Sequence, residues 1–123
     1  MINDYPKIEK LKSRSQINLL FTEGKTVSKY PLRLVYAEIN DLEQTDIKIG
    51  VSVSKKYFKK AVDRNYYKRV LREVYRLNKL ILLPALCQKK YAIMFLYQTK
   101  ERLNYEEIDV RTKELFEKFV KQL

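Results

Sequence analysis

The chain has no histidine, no tryptophan and one cysteine, Cys87. Without histidine it cannot build an imidazole acid/base pair or a Cys-His nucleophile, and a single cysteine excludes an internal disulfide and an ordinary zinc site. A self-sufficient hydrolase would have to rely on carboxylates and bound metal, and the acids are scattered. Asp41, Glu43 and Asp46 sit in a polar stretch that reads as a turn, while Glu106, Glu107 and Asp109 open a helix, where acids complement the helix dipole. Long apolar runs are missing too: "LILLPAL" is too short to span a bilayer and contains Pro84, and "MINDYPKIEKLKSRS" holds no run of signal-peptide length. The expectation is a cytoplasmic protein, with Cys87 a buried thiol among apolar neighbours in a reducing compartment. There is no Gly/Ser linker, repeat or low-complexity segment, so residues 1–123 are expected to form one domain.

Positive charge is abundant. Lys plus Arg number 26 against 15 Asp plus Glu, a formal net charge of +11 that attracts polyanions. Ser13 followed by Gln16 is a capping-box signature, and Ile17, Leu20 and Phe21 recur at helical spacing until Gly24, which predicts a helix from Arg14 to Glu23. "TVSKYPLRLVYAEI" reads as a strand in which Leu32, Leu34 and Tyr36 alternate with Arg33, Val35 and Ala37. "NDLEQTD" reads as a hairpin loop. In "IKIGVSVSKK", Ile47, Ile49, Val51 and Val53 form one face and Lys48, Gly50, Ser52 and Ser54 a small polar face that something can approach closely. "YAIMFLY" is apolar on both faces and suits a central strand. A last helix, capped by Asn104 with Glu107, carries a stripe of Ile108, Leu115, Phe116, Phe119 and Val120.

Between the second and third of these strands lies a helix predicted from Lys60 to Leu80. At about 100° per residue, Tyr66, Tyr67, Val70, Val74, Leu77 and Ile81 fall in an arc of roughly 100° and make the expected core face. Arg64, Asn65, Lys68, Arg69, Arg72, Arg76 and Lys79 fall in an arc of roughly 140° almost opposite. A solvated helix face normally mixes Glu with Lys, since opposite charges at i, i+4 help and like charges cost. Here Arg64, Lys68, Arg72 and Arg76 stand four apart with like sign, which makes sense if a polyanion relieves the repulsion. Arginine's planar donor fork suits phosphate, and Lys55, Lys56, Lys59 and Lys60 extend the charge toward the helix amino end.

"SVSKK" closing a strand and "AVDRNYYKRVLRE" opening a helix resemble the signature of the bacterial ribonuclease P protein subunit, whose helix carries R-N-x-x-K-R-x-x-R-E. Arg64, Asn65, Lys68, Arg69, Arg72 and Glu73 match it position by position, and "LKSRSQINLLFTEGKTV" and "LNYEEIDVRTKELFEKF" resemble that family's first and closing helices. The chain departs from the pattern twice. Tyr66 stands where the family usually has a further cation, and the connection "YFKKAV" lacks the family's frequent glycine. Tyr66 is expected to pack or to stack on a base.

The resemblance implies a two-layer α/β (α+β) sandwich, ribosomal protein S5 domain 2-like, with three helices, a mostly antiparallel sheet of about four strands and a left-handed βαβ crossover. The fourth strand falls near Lys25 to Lys29 or around Gln88. It further implies an accessory subunit with no catalytic residue of its own. The partner RNA, using Mg²⁺, would remove the 5′ leader of precursor tRNA, with no metal site on the protein, no required protein partner and no membrane. Arg64, Asn65, Lys68, Arg69, Arg72, Arg76 and the four lysines would bind the catalytic RNA; Ile17, Phe21, Arg33 and Val35 would line a cleft for the leader. Phe21 has a competing reading as core packing beside Leu20. The alternative for the whole chain is a structural RNA-binding protein, such as a ribosomal protein.

Overall fold

The apolar stretch that ends in Tyr97 occupies the middle of the sheet, and the other elements are arranged around it. The structure, a computed structural model, describes residues 10–11, 14–39, 47–86 and 89–123. In chain order the elements are α1 (Arg14–Glu23), β1 (Lys25–Lys29), β2 (Leu32–Ile39), β3 (Ile47–Val53), α2 (Ala61–Leu82) with a 3-10 turn at Leu83–Ala85, β4 (Lys90–Tyr97) and α3 (Tyr105–Gln122). Strand order is β1-β2-β4-β3, with β3 parallel to β4 and the other pairs antiparallel. The segment read as one strand from Thr26 to Ile39 is therefore two, broken at Tyr30 and Pro31, where Pro31 cannot donate to a ladder. Lys25–Lys29 is the fourth strand.

The hairpin expected between β2 and β3 does not form, because β4 lies between them. A hairpin would have left β4, apolar on both faces, with a solvent edge; central placement covers it on both sides. Residues 40–46, including Asp41, Glu43 and Asp46, lie outside the described residues, as do Ser13, Cys87 and Gln88. Joining β3 to its parallel neighbour β4 requires a crossover, and α2 supplies it.

Side chains alternate across the sheet. Leu32, Leu34 and Tyr36, Ile47, Ile49 and Val53, and Ile93, Phe95 and Tyr97 face one core with Leu71, Val74 and Tyr75 of α2 and Ile108, Leu115, Phe116 and Phe119 of α3. Sheet and these two helices make the two layers. On the opposite face Ile39, Ala92 and Met94 pack with Val35 and Ala37 beneath Leu19 and Leu20 of α1, and Leu11 joins them. Lys10 bridges Ile49 along the outer edge of β3, with Leu11 N–H donating to the Ile49 carbonyl at 3.1 Å. This is the close approach for which the small face of β3 leaves room: a Cβ on Gly50 would stand 3.5 Å from Leu11. Gly24 is tighter still, since a Cβ there would meet the Leu20 carbonyl oxygen and come within 2.7 Å of the Val35 side chain. The stop signal of α1 is thus also the contact between helix end and sheet.

The buried arc of α2 differs from the sequence reading. Tyr67, Val70, Leu71, Val74, Tyr75, Asn78, Lys79 and Leu82 are buried, whereas Tyr66 and Leu77 are exposed. The helix packs on α3 and on the sheet at once, so it buries about half its circumference rather than one stripe. Lys79, placed by the helical wheel on the solvent arc, is only 4% exposed. Asn78 Nδ2 donates to Asp109 Oδ1 of α3 at 2.7 Å and to the Val74 carbonyl at 2.8 Å, satisfying a buried amide. At α3 the cap forms as the sequence predicts: Asn104 Oδ1 accepts from Glu107 N–H at 2.8 Å.

Tyr97 ends β4 in the core. Its hydroxyl donates to the Glu101 carbonyl at 2.6 Å and accepts from Leu103 N–H at 3.2 Å, and burial pushes its pKa from 10.0 up to about 12. A phenol whose folded pKa lies above its unfolded value stabilises the fold below the unfolded pKa and loses that contribution as pH rises through the folded one. Denaturation midpoints should therefore fall between pH 10 and about pH 12. Tyr97→Phe should start lower, because it cannot make these hydrogen bonds, and show a shallower alkaline decline.

Candidate nucleic-acid interface

The connection from β3 to α2 carries four lysines and no glycine, and its conformation is fixed by three contacts. Ser54 starts a turn: its Oγ accepts from Lys56 N–H at 3.1 Å, and its carbonyl accepts from Tyr57 N–H at 3.2 Å and Phe58 N–H at 3.1 Å. Phe58 is buried and stacks on Tyr67 at 4.8 Å and 26°, and Tyr67 stacks in turn on Tyr97 at 4.7 Å. Arg64 reaches back from α2, donating from Nη1 to the carbonyls of Phe58 and Lys59, each at 2.8 Å. Lys55, Lys56, Lys59 and Lys60 consequently stand exposed in pairs on either side of one buried ring.

Of the ten cations and amides predicted to face RNA, the structure separates the outward ones from those with work inside the fold. At about 100° per residue Asn65, Arg69, Arg72 and Arg76 share an arc of about 60°. Asn65, Arg69 and Arg72 are exposed, whereas Lys68 and Arg64 are half-buried toward the packed side. Lys68, Arg69 and Arg72 make no ion pair among the described residues. Arg76, by contrast, holds Glu73 with two bonds of 3.1 and 2.6 Å, and its guanidinium keeps the Glu73 carboxyl below the usual range. The sequence reading missed Arg102, which pairs with Asp63 at 3.1 Å, lowers the Asp63 pKa and lies 5.4 Å over the Phe58 ring. It is 39 residues away from Asp63, so no local pattern could have revealed it.

The second predicted group surrounds α1. Leu20 is buried and Phe21 is 78% exposed, which removes the core-packing reading of Phe21. Ile17, one turn earlier on α1, is half-buried. Helix α1 lies on β2 and β4, so that it borders a trough floored by strand residues. Sheet register places Val35, Met94 and Gly50 in one row and Arg33, Leu96 and Ser52 in the next. Val35 lies under the end of α1, at Gly24, and Arg33 is exposed, its Nε donating to Ser28 Oγ at 3.4 Å. Half-exposed Leu96 and Ser52 complete a row that the sequence reading recognised only through Arg33. Because β3 runs parallel to β4, the Arg33 end of this trough is also the end from which Lys55 and Lys56 leave the sheet. The two predicted surfaces meet at one edge.

Among the described residues, no group of three or more acids or thiols gathers as a metal would require, and no helix is long and apolar enough to cross a membrane. The described residues form an α+β protein that displays cations over one helix and its approach, with an exposed aromatic on α1. A model of the Ribonuclease P family matches residues 5–120. The ribonuclease P protein component of Porphyromonas gingivalis is 40% identical over 105 residues, covering 84% of this chain and 77% of that protein. The corresponding component of Thermotoga maritima is 29% identical over 112 residues, covering 91% of this chain and 88% of that protein. The solved structure of the Thermotoga maritima RNase P protein superimposes with a TM-score of 0.69 at 25% identity, over 89% of this chain and 96% of that one. The Staphylococcus aureus RNase P protein shares the fold, with a TM-score of 0.68 at 21% identity, over 87% of this chain and 91% of that one. The chain belongs to the ribonuclease P protein component family.

The two roles of the cations are separable by experiment. Arg64→Ala strands two carbonyls that now accept from a charged donor, and should lower unfolding free energy by about 1 kcal/mol after allowance for partial exposure. Arg72→Ala, at an exposed position, should stay within about 0.5 kcal/mol of the parent. Urea titrations of both variants check this.

Proposed function

We propose that this chain is the RNA-binding subunit that enables a ribonuclease P RNA to remove the 5′ leader of precursor tRNA at low Mg²⁺. The observation that carries the reading is the exposed face of Asn65, Arg69 and Arg72, flanked by Lys68 and by the lysine connection, with no acid paired to Lys68, Arg69 or Arg72 among the described residues. Such a face releases counterions from an RNA backbone and relieves its own like-charge repulsion in doing so. The trough under α1 takes the single-stranded leader: Phe21 offers a ring to a base, Arg33 a cation to a phosphate, and Ile17 and Val35 apolar walls. Since the trough opens beside Lys55 and Lys56, one strand can pass from the leader site to the cationic helix without leaving the protein.

In this reading the cut is made by the RNA and not by the protein. It contains no histidine, and the described carboxylates do not converge, so the described residues offer no site that fits a catalytic Mg²⁺. Mg²⁺ is a cofactor of the RNA, supplying there the charge stabilisation of phosphodiester cleavage. The chain's residues bind, orient and neutralise. Cleavage of a precursor tRNA by the ribonuclease P RNA of the same genome, with and without the protein, tests the reading directly. Strong stimulation at low Mg²⁺ with no activity from the protein alone is expected, and no stimulation by folded protein would overturn it in favour of a structural RNA-binding role.

Replacing Arg69 and Arg72 together with alanine should weaken binding to that RNA and reduce the log–log salt slope by about 0.7–0.9 for each phosphate that is no longer neutralised. An unchanged slope would mean that these arginines do not meet phosphate. Phe21→Ala should lower affinity for precursor tRNA by about 1–3 kcal/mol while the affinity for mature tRNA and the assembly of protein with RNA stay as they were. Filter binding with both substrates reads the difference.

A further inference from the structure

Two exposed side chains interrupt the cations of α2. Val62 is 71% exposed and Tyr66, one turn later, 48%. A lone exposed ring on a helix ordinarily means nothing. Tyr66 is distinguished by how it is held and by what surrounds it. Its ring meets Tyr67 at 5.0 Å and 86°, and Tyr67 is locked in the stack that joins Phe58 to Tyr97. The ring is thus braced before any ligand arrives, which spares the ordering cost that a loose side chain would incur. Asn65 precedes it, Arg69 stands at i+3 on the same helix surface, and Val62 supplies an apolar neighbour at i−4.

We propose that Tyr66 is a base-stacking residue: an unpaired base of the RNA whose phosphates engage Arg69 and Arg72 lies on its exposed ring, beside Val62. The inference rests on the RNA-binding reading above and adds a contact of a different physical kind. An arginine at a phosphate releases counterions, so its share of the affinity fades with salt; a stacked ring releases none. A ring that takes a base also favours a flexible, unpaired stretch of RNA over a regular duplex, whose bases are already stacked.

The absence of tryptophan from the chain makes the site directly observable. Tyr66→Trp introduces a single indole there, and its emission should be quenched on titration with the ribonuclease P RNA while affinity is retained or raised. Tyr66→Leu keeps apolar bulk against Tyr67 but cannot stack, and should bind about tenfold more weakly at every salt concentration with an unchanged log–log slope. Tyr66→Phe should bind within about twofold of the parent. Unquenched indole emission in a complex that forms normally would overturn the assignment. So would a Leu variant of parental affinity, or one whose slope falls by about one, which is the mark of a phosphate contact. The paired Arg69 and Arg72 replacement serves as the control. If the parent shows no salt-dependent binding, the RNA-binding reading falls; if parent and control behave as expected and the indole is silent, only the stacking role falls.

Discussion

Three stacked rings, Phe58, Tyr67 and Tyr97, tie the molecule's outer surface to its core. Tyr97 ends the central strand, Tyr67 lies in the second turn of the crossover helix, and Phe58 sits in the connection between that helix and its preceding strand. Each ring removes a large apolar area from water, and the stacking adds about 0.5–1.5 kcal/mol per pair beyond burial. Geometry matters more than energy here. With Phe58 pinned, the lysines before and after it have nowhere to go but outward, and with Tyr67 pinned, the rotation of α2 about its own axis is set. The direction in which Asn65, Arg69 and Arg72 point follows from that rotation.

A net charge of +11 would suggest that cations are interchangeable, and they are not. Arg64 fastens the connection, Arg76 closes on Glu73, and Arg102 joins the loop between β4 and α3 to the first turn of α2 through Asp63. These residues give up their donors to the fold. The surface left over, Lys68, Arg69, Arg72 and the lysine pairs, is smaller than the composition implies but more sharply oriented. A single motif thus contains both kinds, Arg64 facing inward to carbonyls and Arg69 outward, five residues apart.

Much of this is legible in the sequence, and the failures have physical causes. The extent of α1, the start of α3 at its Asn104 cap, the central position of the strand ending at Tyr97 and the face alternation of Leu32, Leu34 and Tyr36 can all be read from local patterns. These are settled by contacts within a few residues or by a strand's period. The hairpin between β2 and β3 is a wrong expectation because strand order is a property of the whole sheet: each of the two segments is a good strand, and neither reveals that a third will intervene. The core face of α2 is displaced because the wheel assumes one neighbour where the helix has two, which buries Leu71, Tyr75 and Lys79 and frees Tyr66 and Leu77. For the candidate site, the cationic pattern picks out a helix and a connection on which the structure exposes Asn65, Arg69, Arg72 and the four lysines. The distinction between Arg64 as a fastening and Arg72 as an open donor requires the position of two carbonyls, and Leu96 enters the trough only through register.

The small segment that bridges Ile49 has a consequence for how the protein behaves alone. With order β1-β2-β4-β3, strand β3 is an edge, and unpaired edges invite other chains to add to them. Lys10 and Leu11 occupy part of that edge, the Leu11 N–H taking the Ile49 carbonyl that a neighbouring molecule would otherwise use. On the same strand Lys48 is turned into a buried setting, 8% exposed, and an inward-turned charge is one of the devices by which edge strands resist addition. The β3 edge is therefore guarded at Ile49, where an added strand would have to displace Lys10 and Leu11.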